Sequence, residues 1–167
     1  AGSASEMPRT LEIGQSAPDF NLPGVGGKNC KLADFAQAEV LVIIFTCNHC
    51  PTAQAYEERI KQLAADYKDK GVALVAISSN DPNAVRLDEL GYSDLSDSLE
   101  EMKIRAERRG FKFPYLYDGE TQKVSLAYGP VSTPHVFIFD KQRKLRFVGR
   151  IDDSEKPERV KSRDTRN

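Results

Sequence analysis

Tryptophan is absent from this sequence, and histidine, methionine and cysteine are scarce, with two, two and three residues among 167. Three cysteines are too few for the disulfide framework that stabilises small secreted proteins. Only Cys47 and Cys50 have the Cys-x-x-Cys spacing, so a structural zinc site would lack its second pair of cysteine ligands. We therefore expect a hydrophobic core, without metal or cofactor, to hold the fold together.

The sequence also lacks an excess of charge of one sign and any long apolar run. Lysine and arginine number 24 against 25 aspartates and glutamates, which gives no electrostatic footprint for nucleic acid or for a membrane surface. The longest apolar run, residues 40–45, is far shorter than the ~20 residues that a membrane-spanning helix needs. We expect neither nucleic acid nor a lipid bilayer as a partner.

The chain is predicted to form one globular domain. Its residues are 40% hydrophobic and 29% charged, and no internal repeat or glycine- and proline-rich linker divides it. We expect a flexible segment over residues 1–12 and the domain over residues 13–153. Residues 154–167 have one sizeable apolar residue, Val160, and are predicted to be a polar tail or a truncated element.

Strand and helix patterns alternate along this domain, which predicts an α/β fold. Residues 17–27 indicate an extended lead-in with a glycine-rich turn, and hence a short N-terminal hairpin. Residues 40–45 and 72–77 are apolar on both faces and rich in β-branched side chains, as buried central strands are. Between them a helix should begin at Pro51. Its apolar stripe consists of Tyr56, Ile60, Leu63, Ala64 and Tyr67.

A polar, partly helical insertion over residues 82–110 follows this βαβ unit. Its basic residues are interpreted as a solvated helix face: Lys103, Arg105, Arg108 and Arg109. A short extended stretch at 113–117 and a short helix near 121–128 come next. Residues 135–139 and 145–148 then form a hairpin.

The segment Thr46-Cys47-Asn48-His49-Cys50-Pro51 indicates a chemistry directly. Thiol–disulfide exchange needs an attacking thiolate and a second sulfur near enough to resolve the mixed disulfide. Between a strand and a helix, Cys47 would face free N–H groups and the positive end of the helix dipole, which lower its pKa. His49 as imidazolium would favour the thiolate further. We predict Cys47 as nucleophile and Cys50 as resolving residue, and we assign no role to Cys30.

A second candidate feature is Thr133-Pro134-His135, where proline immediately precedes a strand of central character. Proline donates no ladder hydrogen bond, so its position needs a reason. A cis Thr133–Pro134 bond beside the redox pair would leave neighbouring backbone groups free to bind an extended substrate peptide. The alternative is an ordinary trans proline in a turn.

Several motifs together resemble the thioredoxin superfamily. They are Ala17-Pro18-Asp19-Phe20, the strand before Cys47, Phe113-Pro114, Ala127-Tyr128-Gly129, and Thr133-Pro134 before Phe137-Ile138-Phe139-Asp140. Over residues 13–151 the chain is similar to the TlpA-like and alkyl hydroperoxide reductase/thiol-specific antioxidant (redoxin) branch. The resemblance implies a thioredoxin-like fold with a central mixed sheet flanked by helices. It also implies Cys47 as attacking cysteine, Cys50 as its partner, and Pro134 as a cis-proline facing them.

The sequence departs from this pattern at its acidic residue. The buried aspartate that many thioredoxins carry on the strand before the cysteines would fall near Leu41. Asp81, after the next strand, resembles the acidic residue of cytochrome-maturation relatives and is our candidate proton relay. Its alternative role is that of a turn or helix-capping residue before Pro82.

Two alternative functions stay open. Cys47, Cys50 and His135 could bind copper, as the copper chaperones of the superfamily use two cysteines and a histidine. The cysteines of those chaperones, however, are separated by three residues. A thiol peroxidase is the other alternative, because Cys50-Pro51-Thr52 is similar to the peroxidatic segment of peroxiredoxins. Those proteins place threonine three residues before their cysteine, whereas Thr46 is four residues before Cys50.

The expected partners are a protein thiol or disulfide substrate and a redox partner protein. The first methionine is Met7, which fits a processed terminus or a cloning remnant. From this start and from the resemblance we expect an exported protein, periplasmic or otherwise extracytoplasmic, with a cytoplasmic one as the alternative.

Overall fold

A computed structural model describes residues 10–46, 51–78, 98–118, 122–130 and 135–149, with residues 51–55 described only as part of a helix. The strands are β1 (Asn21–Pro23), β2 (Asn29–Lys31), β3 (Val40–Thr46), β4 (Val72–Ser78), β5 (Tyr115–Tyr117), β6 (His135–Phe139) and β7 (Leu145–Gly149). The helices are α1 (Pro51–Tyr67), α2 (Leu99–Arg109) and α3 (Lys123–Tyr128), with a 3-10 turn at Leu32–Phe35. The predicted alternation of strands and helices is confirmed.

Five strands form one mixed sheet in the order β5-β4-β3-β6-β7. β3 is central, as its apolar, β-branched sequence predicts. It pairs in parallel with β4, where Thr46 lies opposite Ser78, and β4 pairs in parallel with β5. On its other side β3 pairs antiparallel with β6, where Phe45 lies opposite His135. The β6–β7 hairpin closes that edge.

Each face of the sheet buries its own hydrophobic core. Along β3, Leu41, Ile43 and Phe45 belong to one core and Val42 and Ile44 to the other, as the two-residue period of a strand requires. The first core is completed by the N-terminal hairpin and α3 through Phe20, Leu22, Val124 and Tyr128. The second is completed by α1 and α2 through Tyr56, Ile60, Met102 and Ala106. Both faces are therefore covered, as predicted for a buried central strand.

The predicted N-terminal hairpin is confirmed as β1 paired antiparallel with β2. It lies against the edge strand β5, where Val25 N donates to Tyr115 O at 3.0 Å. Gly24 permits this approach, because a Cβ there would lie 3.1 Å from Leu116 Cδ2 and 3.2 Å from Lys28 O. The hairpin thus covers the start of an otherwise open sheet edge.

The predicted apolar stripe of α1 is confirmed except at its last member. Tyr56 and Ile60 are each only 2% exposed, and the two residues that follow in the stripe are half-buried against the same core. The predicted burial of Tyr67 is wrong, since this residue is 44% exposed. It is the final residue of α1, and its ring contacts the Lys70 ammonium, 5.3 Å away, instead of the core.

The interpretation of the α2 basic residues as a solvated face is wrong for Arg105, whose side chain is only 15% exposed, and holds for Arg109, whose side chain is 41% exposed. Arg105 and Arg109 bind the buried carboxylate of Glu57 on α1, with Arg105 Nη2 2.7 Å from Oε1 and Arg109 Nε 2.9 Å from Oε2. Lys103 does pair at the surface, with Glu100 at 3.2 Å. The error arose because Glu57 lies 48 residues from Arg105 in the chain, so no local pattern indicates the contact.

Hydrogen bonds to the domain begin before residue 13, its predicted first residue. Thr10 Oγ1 donates to Gly129 O at 2.7 Å, and Leu11 N donates to Tyr128 O at 2.9 Å. The predicted end of the domain at residue 153 and the tail 154–167 lie outside the described residues. Among the helices that the structure describes, none has both the length and the apolar character to cross a bilayer.

Tyr128→Phe should lower the free energy of unfolding by about 1–2 kcal/mol. Tyr128 is fully buried, burial raises the pKa of its hydroxyl, and the protonated hydroxyl donates to Pro18 O at 2.6 Å. Phenylalanine would leave this carbonyl without its donor. Urea unfolding followed by circular dichroism measures the loss. Tyr67→Phe, at an exposed ring, is the control and should change stability by less than about 0.5 kcal/mol; equal losses would contradict the assignment.

Candidate active site

The carboxyl ends of the parallel strands collect polar residues at one edge of the sheet. β3, β4 and β5 end side by side at Thr46, Ser78 and Tyr117, which are register partners. β6 begins at the same edge, because its first residue, His135, lies opposite Phe45. In open α/β sheets this edge is where ligands bind.

The predicted redox residues adjoin this edge in sequence, but they lie outside the described residues: Cys47, His49, Cys50, Asp81, Thr133 and Pro134. Their flanks are described, since β3 ends at Thr46 and α1 begins at Pro51. The predicted strand-to-helix context of the cysteines is thus confirmed on both sides. The separation of the two sulfurs, the cis bond and the Asp81 relay stay predictions.

His135 is the one predicted site residue that the structure describes. It is 5% exposed, and its ring centre lies 4.9 Å from that of Phe137 at an interplanar angle of 41°. Burial lowers the pKa of His135 below its usual value, so the imidazole is neutral at pH 7. A neutral ring can accept or donate a hydrogen bond at the edge of the sheet where β3 leads to Cys47.

The second face of the sheet holds a carboxylate near the end of β3. Thr46 and Glu57 line a cavity of about 10 Å³ together with apolar residues of the second core. Glu57 is 5% exposed, and both of its carboxylate oxygens bind arginines of α2. This cluster joins the helix that starts directly after Cys50 to the insertion helix. No local sequence pattern predicts this cluster.

A buried carboxyl beside β4 was likewise not predicted from sequence. Asp118 follows β5 directly and is 2% exposed, and its N–H donates to Ser78 O at 2.7 Å. Asp118 Oδ2 accepts from Ser125 N at 2.8 Å, in the first turn of α3. Burial raises the pKa of Asp118, and the N–H groups of Ser125 and Val124 oppose this effect. The only sequence signal for a buried acid here was that Asp118 directly follows the apolar stretch at residues 115–117.

Cys30 does not have the surroundings of a reactive thiol. It lies in β2 opposite Leu22 and is half-buried against the first core. Burial and the nearby Asp34 carboxylate raise the pKa of the Cys30 thiol, which lowers its thiolate fraction. Its surroundings are those of a packing residue.

The alternative metal site cannot be completed from the described ranges. Within them no group of three or more histidine, cysteine, aspartate or glutamate side chains could hold a metal ion. Of the set Cys47, Cys50 and His135, the two cysteines lie outside these ranges. Copper binding therefore stays an untested alternative.

Comparison with known proteins identifies the family of this chain. A model of the AhpC/TSA family matches residues 13–148. The chain belongs to the AhpC/TSA family. The thiol-disulfide oxidoreductase ResA of Geobacillus thermodenitrificans is 26% identical to this chain over 140 residues, which cover 83% of this chain and 69% of that protein.

Solved structures agree with this AhpC/TSA membership. A conserved protein of Geobacillus kaustophilus is 41% identical, with a TM-score of 0.77 over 87% of this chain and 72% of that one. The thioredoxin domain of a thiol-disulfide oxidoreductase from Bacteroides vulgatus is 19% identical, with a TM-score of 0.61 over 81% of this chain and 86% of that one, and shows the fold alone. The predicted thioredoxin-like fold and oxidoreductase class are confirmed.

Proposed function

We propose that this AhpC/TSA member is a thiol–disulfide oxidoreductase that exchanges disulfides with protein substrates through Cys47 and Cys50. The proposal rests on the elements that flank Cys47 and Cys50 in sequence, a strand before them and a helix after them. β3 ends at Thr46 and α1 begins at Pro51, so both cysteines belong to the short connection between the central strand and a 17-residue helix. Free N–H groups and the positive dipole end of a helix favour a thiolate at such a connection.

In the proposed reaction the Cys47 thiolate attacks one sulfur of a substrate disulfide. A Cys47–substrate bond forms, the substrate disulfide breaks, and the departing thiolate takes up a proton. The Cys50 thiol then loses its proton and attacks the Cys47 sulfur, which releases the second substrate thiol. The protein is left with a Cys47–Cys50 disulfide and the substrate has gained two electrons and two protons. A reduced substrate runs the same steps in reverse.

We assign substrate binding to Thr133, Pro134 and His135. β6 is the neighbour of β3, and its first residue pairs with Phe45, two residues before Cys47. An extended peptide approaching the first cysteine would meet the chain that leads into β6, and its backbone could pair there. The position of His135 supports this arrangement, because it is the first residue of β6 and is buried at the edge of the sheet where β3 leads to Cys47. Export from the cytoplasm stays part of the proposal.

The redox equilibrium of the Cys47/Cys50 pair with glutathione tests the proposed function. We expect one two-electron transition at a potential above the ~−270 mV of thioredoxin, because an imidazolium at His49 favours the reduced, thiolate form. Cys30→Ser should leave the transition unchanged. A titration without a two-electron step would contradict the proposal.

The same samples separate the two alternatives. A thiol peroxidase would be oxidised by hydrogen peroxide far faster than an ordinary thiol, which stopped-flow mixing measures. A copper chaperone would bind one copper ion tightly and would not reduce insulin. For a thiol–disulfide oxidoreductase we expect reduction of insulin and an ordinary peroxide rate.

A further inference from the structure

One oxygen of the Asp118 carboxyl is buried without a hydrogen-bond partner among the described residues. Oδ2 accepts from Ser125 N at 2.8 Å, which is sufficient to hold the first turn of α3. Oδ1 is fully buried and has no hydrogen-bond partner among the described residues, and the Ser78 hydroxyl is in the same condition. An unsatisfied buried polar atom is costly, and a residue needed only for folding would not require one.

Both of these atoms lie at the edge of the sheet where the proposed chemistry takes place. Ser78 is the register partner of Thr46, the last residue before Cys47, and Asp118 directly follows Tyr117, the register partner of Ser78. With neighbouring strands about 4.8 Å apart, the Asp118 backbone is roughly 10 Å from the end of β3.

Asp118 is also on the face of the sheet that Phe45 shares. Its carboxyl binds the N-terminus of α3, and the Tyr128 ring of the same helix packs on Phe45 at 5.4 Å. The interior between the two positions consists of apolar side chains of the first core. A charge on Asp118 is therefore poorly screened in the direction of β3.

We propose that Asp118 is a positioning residue for the proposed thiol–disulfide exchange, one whose carboxyl charge opposes thiolate formation at Cys47 and so sets the pH range of exchange. This rests on the proposed function of Cys47. At an effective dielectric constant of about 20, two negative charges separated by the roughly 10 Å between the Asp118 backbone and the end of β3 would repel each other by about one pKa unit. That corresponds to about a tenfold change in the thiolate fraction.

The proton equilibrium of Asp118 supports this role. Burial raises the pKa of Asp118, whereas the N–H groups of Ser125 and Val124 lower it. The charged side chain nearest in sequence on α3 is Lys123, and β4 contributes only the neutral Ser78. As the pH rises through the Asp118 pKa, the carboxylate forms and Cys47 becomes harder to ionise. As the pH falls, the carboxyl is neutral and this opposition disappears.

The rate of Cys47 alkylation by iodoacetamide as a function of pH, in the reduced Cys30→Ser protein, tests the proposal. Asp118→Asn keeps an oxygen for Ser125 N but removes the charge. We expect it to lower the apparent Cys47 pKa by about one unit, and to speed alkylation about tenfold at a pH below that pKa. Asp118→Glu should restore the wild-type profile. Asp118→Ser, neutral and able to cap α3, replaces the Asn variant if that variant does not fold.

Two controls make the outcome decisive. Asp140→Asn removes a half-buried carboxylate at the β6–β7 turn and should not move the profile. Asp81→Asn examines the relay predicted from sequence. A Cys47 profile unchanged in folded Asp118→Asn and Asp118→Ser proteins, or one moved only by Asp81→Asn, would overturn the inference. An unreactive Cys47 in the wild-type chain would instead overturn the proposed function, so the two failures are distinguishable.

Discussion

Cys47→Ser should reduce the rate of disulfide exchange by roughly a thousandfold or more, the scale of loss expected when a nucleophile is removed. Serine cannot form the mixed disulfide, so the first step fails and Cys50 has nothing to resolve. Cys50→Ser should fail one step later. The Cys47–substrate disulfide would form and then persist, because the second sulfur that releases the substrate is missing.

The two variants are compared by insulin reduction and by trapping of a disulfide-containing peptide, followed by mass spectrometry. Cys50→Ser should accumulate one peptide per chain, lost on addition of dithiothreitol, and Cys47→Ser should accumulate none. Cys30→Ser is the matched control and should behave like the wild type, since its half-buried thiol has a raised pKa. Trapping at Cys50 in the Cys47→Ser protein would reverse the assigned roles.

The central sheet could be predicted from sequence because its strands differ from all other segments in composition. Residues 40–45 and 72–77 are apolar on both faces, and a strand of that kind is stable only between two layers. The structure accordingly has β3 and β4 at the middle of the sheet with a core on each face. The flanks of the redox pair followed from the same pattern, since a β-branched run ends at Phe45 and Pro51 suits a first helical turn.

Contacts between residues distant in sequence could not be predicted. Glu57 carries no local signal that distinguishes it from the exposed Glu58, and its partners lie 48 and 52 residues away. Asp118 was likewise indistinguishable from a surface aspartate, because its burial depends on α3 packing over the end of β5. The family resemblance predicts the acidic residue of the site at Asp81, which lies outside the described residues. Asp118, whose Oδ1 is buried without a hydrogen-bond partner among the described residues, is brought to the edge of the sheet only by the fold.

Glu57→Ala should destabilise the fold by about 3–5 kcal/mol, the usual cost of removing one partner from a buried ion pair. The Glu57 side chain is 6% exposed and binds two guanidinium groups, and the Arg105 side chain is only 15% exposed. Alanine would leave the Arg105 charge buried and uncompensated. At roughly 2–4 °C per kcal/mol for a chain of this size, the midpoint of thermal unfolding should fall by about 10 °C.

Glu58→Ala is the matched control at the next position of the same helix. Glu58 also binds Arg109, at 3.2 Å, but its side chain is 68% exposed, so its loss should cost less than about 1 kcal/mol. Glu57→Ala combined with Arg105→Met should recover part of the lost stability, because the unpaired charge is removed together with its partner. Equal losses for Glu57→Ala and Glu58→Ala would show that burial does not strengthen this pair. A double variant no more stable than Glu57→Ala would show that the cost lies in lost packing on α1 and not in the stranded arginine.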